Sequence, residues 1–340
     1  MTLFVGPVAE SGGPAIKNAI TLKHLFPSGE FALINTYPRD AASRVGGIFK
    51  TAMTKDSQMV VAVSRKGRAV LWPIARWKAK ADPSFKYALI CIGGTIADEV
   101  KANPSLANCM RTASVVAVET QGIVAQLKTL GVKNVQLMTN FVDNLSARRM
   151  PPHLPGSDRM RFVFLSSVRN KKGVSVMVDA FRRAVDSGLD ASLDIFGPIK
   201  EDFDRSILDE IADDESICYK GVVPNPEVVG TLAKYDCFVF PSEYETEGFP
   251  AVLAEAMAAG LPILASDVCF NPEIVVDNRN GWIFPAGDAA SLTGLFLRCG
   301  SCRDELARMA AFNHEDCLRF DAASVVGGFR RALEERGWLL

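Results

Sequence analysis

A chain of 340 residues is long enough for two domains of ordinary size, and its 38 Lys and Arg nearly balance 39 Asp and Glu, so no net charge marks it for a polyanion. With 48% hydrophobic and 23% charged residues it has a globular composition, and it lacks the run of about 18 uncharged apolar residues that crosses a bilayer. The start, Met1-Thr2-Leu3-Phe4-Val5-Gly6, has no basic residues or long apolar stretch and reads as a first strand rather than a signal peptide. The eight cysteines are scattered, several in apolar settings such as Leu89-Ile90-Cys91-Ile92, which fits free thiols in a reducing, cytoplasmic compartment.

Charge is spread unevenly. Residues 1–140 carry 17 Lys and Arg against 8 Asp and Glu, whereas residues 141–340 carry 21 against 31. Two domains with different partners follow from that split. A basic half alone does not indicate nucleic acid, because no recognition motif accompanies it.

Short apolar runs rich in β-branched residues alternate with helical patterns, the signature of parallel βαβ units. The first six predicted strands cover residues 3–5, 32–35, 59–63, 87–92, 114–118 and 135–138. After the first comes a glycine-rich loop from Gly6 to Asn18, containing Gly12 and Gly13. It lacks the G-x-G-x-x-G spacing of a dinucleotide fingerprint, which argues against a dehydrogenase. His24, in an apolar helix pattern, reads as structural. Ser64-Arg-Lys-Gly67 follows the third strand, and Cys91-Ile-Gly-Gly-Thr-Ile96 ends the fourth. Between them, seven Lys and Arg from Arg65 to Lys86 face only Asp82, interleaved with Leu71, Trp72, Ile74 and Trp77. Such a stretch suits an anionic membrane surface, and it suits equally a solvated helix with two buried tryptophans.

A Pro- and Arg-rich stretch without periodicity, residues 146–156, reads as an interdomain linker. Beyond it, strands are predicted at 162–165, 191–196, 216–219, 237–240 and 263–266. The expected architecture is α/β: a Rossmann-like domain over 1–144, a linker over 145–160, a second Rossmann-like domain over 161–320, and a final helix over 321–340. Ligands of open parallel sheets bind beyond the carboxyl ends of strands, so two such sheets would hold an active site in the cleft between them.

The most informative segment runs from Cys237 to Gly260. A buried strand ends at Pro241, an acidic loop follows, and a helix has Pro250 near its start and Gly260 just past its end. Gly248 allows a close backbone approach, and the free N–H groups of the first turn suit a phosphate. Glu255 interrupts an otherwise apolar helix, where an unpaired carboxylate is costly; a ribose diol would satisfy both its oxygens. Glu247, before the helix, benefits from the dipole and lies where sugar hydroxyls would reach it. Upstream, Ser166-Ser-Val-Arg-Asn-Lys-Lys-Gly173 is a basic loop after a strand, with Lys172 and Arg169 as cations for a leaving diphosphate. Cys299-Gly-Ser-Cys302 with His314 and Cys317 has a zinc-like spacing, but it falls in a predicted helix and turn away from the expected cleft. Asp202-Phe-Asp204 resembles a metal-binding pair and is read as an acidic helix face. No metal is expected.

Glu247-x7-Glu255 resembles the signature of the family 4 (GT4) retaining glycosyltransferases, which have the GT-B fold. The resemblance extends through Gly260 to Asp267, Asn271-Pro-Glu273, Asn280 to Asp288, Asp194 to Pro198, Tyr219 to Pro224 and Asn140 to Asp143. It is strong in the second half and looser in the first, and it is closest to bacterial exopolysaccharide and capsule enzymes. It implies that Glu247 orients the donor sugar, that the backbone of Gly248, Phe249, Pro250 and Ala251 holds sugar and phosphate, and that Glu255 binds the ribose. It also implies a phosphate contact for Lys172, places Gly12 and Gly13 toward the donor, and sends the last helix back to the first domain. The family's Gly-Arg falls here on Ser166-Ser167, with the arginine displaced to Arg169, and its cleft histidine falls on Gly93-Gly94. The function so implied is retaining hexosyl transfer (EC 2.4 class) from a UDP- or GDP-sugar to a lipid-linked or oligosaccharide acceptor, with peripheral membrane contact through 65–86 and no further cofactor. The alternative is a non-catalytic GT-B subunit with a degenerate site, which Ser167 and the missing histidine favour.

Overall fold

The structure, a computed structural model, describes residues 1–10, 12–37, 41–152 and 159–340, with only the backbone of 41–45. Ser11 of the glycine-rich loop, His153 and the middle of the predicted linker lie outside the described residues. The chain divides into two compact units, Met1–Asp143 with Phe320–Leu340, and Asn144–Arg319.

Strands of parallel sheets covered on both faces are apolar along their whole length, which is why they stand out in the sequence. The first unit contains β1 (Thr2–Gly6), β2 (Ala32–Asn35), β3 (Gln58–Val63), β4 (Lys86–Cys91), β5 (Val116–Val118) and β6 (Val135–Leu137). They form one parallel sheet in the order β2-β1-β3-β4-β5-β6. The core combines Phe4, Val60, Ile90 and Ala117 of the strands with Leu22 and Leu25 of helix Gly13–Leu25 and Val326, Phe329 and Leu333 of helix Ala322–Glu334. Two backbone bonds, Val142 N to Phe320 O (2.9 Å) and Ala322 N to Val142 O (3.1 Å), tie the returning chain to the end of the first pass.

The second unit holds β7 (Met160–Leu165), β8 (Ala191–Phe196), β9 (Ile217–Gly221), β10 (Cys237–Phe240), β11 (Ile263–Ser266) and β12 (Gly281–Phe284), ordered β12-β11-β10-β7-β8-β9. Phe162, Phe181 and Phe296 meet edge to face in its core, with centroids 4.8–6.1 Å apart. The strand order reverses between β7 and β10, and ligands of open parallel sheets bind beyond the carboxyl ends of the strands at such a point. In the first unit the same reversal falls between β1 and β3.

Every predicted strand has its counterpart, and β12 was not anticipated. It spans only four residues. It begins on a glycine because an added Cβ there would lie 2.0 Å from the Ile263 carbonyl oxygen of the neighbouring strand. Within the predicted linker, residues Leu145–Arg148 form a short helix instead of an irregular stretch.

Candidate donor site

The two segments singled out in the second half are loops at the ends of adjacent strands. β7 and β10 are neighbours, so the loop after β7 meets the loop after β10 across 75 residues of sequence. Their contact is backbone to backbone. Gly173 has φ +69°, and a Cβ on it would sit 1.9 Å from the Pro241 carbonyl oxygen. Nearby, Glu243 N donates to Lys171 O at 2.9 Å.

This register places the Lys172 ammonium on Glu247 Oε1, which also accepts from Ser242 Oγ at 3.1 Å. The ammonium lies over the faces of Phe240 and Tyr244, 5.0 and 5.7 Å from their centroids, where ring quadrupoles stabilise a cation. Glu247 is 9% exposed, so its charge is partly desolvated. Arg169 turns to Asp202, 3.0 Å away, with its guanidinium over the Tyr244 ring, 5.8 Å from the centroid. Thus the structure brings Lys172 and Glu247 together and pairs Arg169 elsewhere. Asp202 itself lies in a turn ahead of helix Ser206–Ile211, and Asp204 accepts from Ser206 N and Oγ, so the expected acidic helix face is a capped turn.

Helix Ala251–Ala258 starts after Pro250, and no side chain caps it. Gly248, Phe249 and Pro250 are buried ahead of the helix, and Ala251 at its start is exposed. The helix stops at Gly260, whose φ of +70° ends it in the left-handed conformation. Glu255 is 8% exposed, and burial pushes its carboxyl up to about 7, against an opposing pull from the Arg148 guanidinium and the Asn225 amide. Asn225 Nδ2 donates to Glu255 Oε1 at 3.4 Å, and Arg148 Nη2 donates to the Asn225 carbonyl at 2.8 Å. Neither residue was singled out in the sequence. Asn225 directly follows the Tyr219-to-Pro224 motif, but Arg148 sat in the stretch read as linker.

In the first unit, Gly12 (φ +86°) and Gly13 lie at the start of the helix after β1, with Ala15 N and Ile16 N bonding to the Gly12 carbonyl. The loop around Gly93 carries no histidine, but it is held firmly. Lys17 and Glu119, both buried, pair at 2.6 Å, and Glu119 Oε2 accepts from Gly93 N at 2.9 Å. Arg68, 1% exposed, takes both oxygens of Glu99 at 3.0 Å and donates to the Ile92 carbonyl. The peptide joining Ile92 to Gly93 is therefore gripped at both its oxygen and its N–H. Asn18 Nδ2 donates to Pro7 O at 2.9 Å and to Ala62 O at 3.1 Å, which ties the loop after β1 to β3. Sequence could not reveal the two ion pairs, because their members are 102 and 31 residues apart.

The basic stretch 65–86 divides. Helix Arg65–Ala81 buries Trp72 and Arg68 but leaves Trp77 60% exposed, so the pattern is not one of two buried tryptophans. Lys78 donates to Thr54 O at 2.6 Å and Lys86 to Gly337 O at 2.7 Å, so part of its charge is structural. His24 contacts Asp143 through Nε2 at 2.8 Å, in keeping with a structural role. Among the described residues, no group of three or more His, Cys, Asp or Glu side chains is arranged to hold a metal, and no helix is long and apolar enough to cross a membrane.

Two parallel six-stranded sheets, the second with a cation and a carboxylate joined at its strand-order reversal, define a GT-B protein. The likeness to the crystal structure of Anabaena Alr3699/HepE in complex with UDP covers 98% of this chain and 99% of that one, at TM-score 0.78 and 15% identity. Residues 148–315 match the model of the family Glycosyl transferases group 1. A curated relative, the amylovoran biosynthesis glycosyltransferase AmsK of Erwinia amylovora, is 31% identical over 147 residues, 41% of this chain and 35% of that protein. The phosphatidyl-myo-inositol mannosyltransferase of Mycobacterium leprae is 31% identical over 216 residues, 62% of this chain and 55% of that one. The chain spans about a third of the length of the first curated relatives it matches.

Proposed function

We propose that this protein is a glycosyltransferase that moves a hexose from a UDP- or GDP-sugar to an acceptor hydroxyl with retention, in surface polysaccharide assembly. The observation that carries this reading is the junction of Lys172 with Glu247 at the carboxyl ends of β7 and β10, beside a helix that buries Glu255. A departing nucleoside diphosphate needs a fixed cation in a partly desolvated setting, and Lys172 supplies one held over two aromatic faces. When a diphosphate takes the ammonium, Glu247 is released toward the sugar hydroxyls. The backbone of Gly248 to Ala251 carries sugar and phosphate, and Glu255 receives the ribose. In this reading Arg169 serves the diphosphate only after leaving Asp202, and Gly12 and Gly13 complete the donor contacts.

UDP complexes among structures of the same fold, and relatives named for amylovoran and colanic acid biosynthesis, support the donor class and the process. A lipid-linked or oligosaccharide acceptor is the substrate class in keeping with a basic helix that exposes Trp77, and with peripheral attachment at a cytoplasmic membrane face. The test is binding and turnover of a panel of UDP- and GDP-sugars with membrane extract as acceptor. Wild type is expected to bind one donor and transfer its sugar, and Glu255→Ala to weaken that binding by at least about tenfold. Donor binding without turnover would instead support the non-catalytic subunit, and absence of binding to every donor would defeat both.

A further inference from the structure

The short helix Leu145–Arg148 begins the second unit, and the chain beyond it runs alongside helix Ala251–Ala258. Met150 N donates to the Ala258 carbonyl at 3.0 Å, and Pro152 packs against Gly260. That attachment delivers the Arg148 guanidinium to the neighbourhood of Glu255. Its Nη2 bonds to the Asn225 carbonyl, and the Asn225 side-chain amide bonds to Glu255 Oε1, so the three residues form a connected chain. Glu255 Oε2 has no hydrogen-bond partner among the described residues.

We infer that Arg148 is a positioning residue for nucleotide binding: acting through Asn225 and through its charge, it orients the Glu255 carboxylate toward the ribose hydroxyls. The inference rests on the proposed donor role of Glu255. A buried carboxylate in an apolar helix tends to protonate, and a protonated carboxyl is a weaker acceptor for a diol. Arg148 is the charged group that opposes this; Asn225, the other group acting on the carboxyl, is neutral. Helices Val228–Leu232 and Arg303–Asp316 pack against the same helix and place no charged group on the carboxyl among the described residues. The guanidinium donates its Nη2 hydrogen to a backbone carbonyl, so the carboxylate keeps one oxygen open to the ligand instead of being closed in a bidentate pair.

The experiment measures calorimetric affinity of the full chain for UDP and for 2′-deoxy-UDP at several pH values on either side of 7, in wild type, Arg148→Met, Arg148→Lys and Asn225→Ala. Thermal melts report whether each variant folds. Wild type is expected to bind UDP more tightly as pH rises through about 7 and to discriminate against 2′-deoxy-UDP. Arg148→Met should weaken UDP by about tenfold near pH 7, move the midpoint of that pH dependence upward and shrink the discrimination; Arg148→Lys should restore most of the midpoint. Asn225→Ala should shrink the discrimination with a smaller change in midpoint. Equal weakening of both nucleotides at every pH would mean that Arg148 only supports the fold, and the inference would fall while the donor reading stood. If wild type binds UDP no more tightly than Glu255→Ala does, the donor role of Glu255 fails and the inference with it.

Discussion

Glu255 shows how a single residue can be poorly suited to its fold and well suited to a ligand. Its carboxyl is pushed up to about 7 from an ordinary 4.5, so the folded chain holds that proton more tightly than the unfolded chain does. The corresponding stabilisation, up to about 3 kcal/mol, is complete below pH 4.5 and is lost as pH rises through 7. Glu255→Gln, which keeps the shape without the titration, should therefore be more stable than wild type above pH 7. Its advantage should close as pH falls toward 4.5, measured by urea unfolding in the absence of nucleotide. A gap independent of pH would show that Glu255 titrates normally. Lys172 is the counterpart: its ion pair with Glu247 joins two groups of opposite charge, and in the proposed function a diphosphate competes for the cation. Glu255 was legible in the sequence because a charge in an apolar helix is anomalous. Arg148 was not, since an arginine in a polar stretch is ordinary until packing places it beside a buried acid.

At the scale of elements, the site depends on two loops that touch through their backbones. Gly173 is where they touch, at a positive φ and with no room for a Cβ beneath Pro241. Gly173→Ala should cost about 1–3 kcal/mol and displace the loop that carries Lys172, lowering nucleotide affinity by more than the loss of stability alone accounts for. Calorimetry under conditions where the melt shows a folded protein would check this, and unchanged affinity would contradict it. In the first unit, the loop at Ile92 and Gly93 is gripped by two buried ion pairs, Lys17–Glu119 and Arg68–Glu99. Buried pairs contribute little net stability compared with apolar packing, but losing one partner is costly. They define a conformation more than they strengthen it. The strands themselves were readable because both faces of each sheet are covered. β12 was the exception: its neighbour requires a glycine at its start, and a glycine in that place reads in sequence as a turn.

At the scale of the whole molecule, the proposed acceptor class draws on the surface of the first unit. The first unit exposes Phe49 and Met53 on helix Ala41–Met53 and Val70 and Trp77 on helix Arg65–Ala81, with Lys50, Arg65, Lys66 and Lys80 on the same two helices. Large exposed apolar groups beside lysines suit the interface of an anionic bilayer, at about 1 kcal/mol for each basic residue near the surface. The protein should sediment with phosphatidylserine-containing vesicles and much less with pure phosphatidylcholine. Added salt and the double variant Phe49→Ala, Trp77→Ala should each reduce the bound fraction several-fold. Equal recovery with both kinds of vesicle, or with neither, would remove the membrane from the proposal.

The sequence by itself determined the alternation of strand and helix, the two parallel-sheet halves and the candidate donor residues Lys172, Glu247 and Glu255. These features are local: apolar runs, a glycine after a lysine, an acid in an apolar helix. Tertiary structure decided which of them meet. The adjacency of β7 and β10 puts Lys172 on Glu247, a turn captures Arg169 with Asp202, and the chain after Leu145–Arg148 brings Arg148 to Glu255. Strand order and the docking of one segment on another are set by how whole faces are buried, and no window of neighbouring residues contains that information.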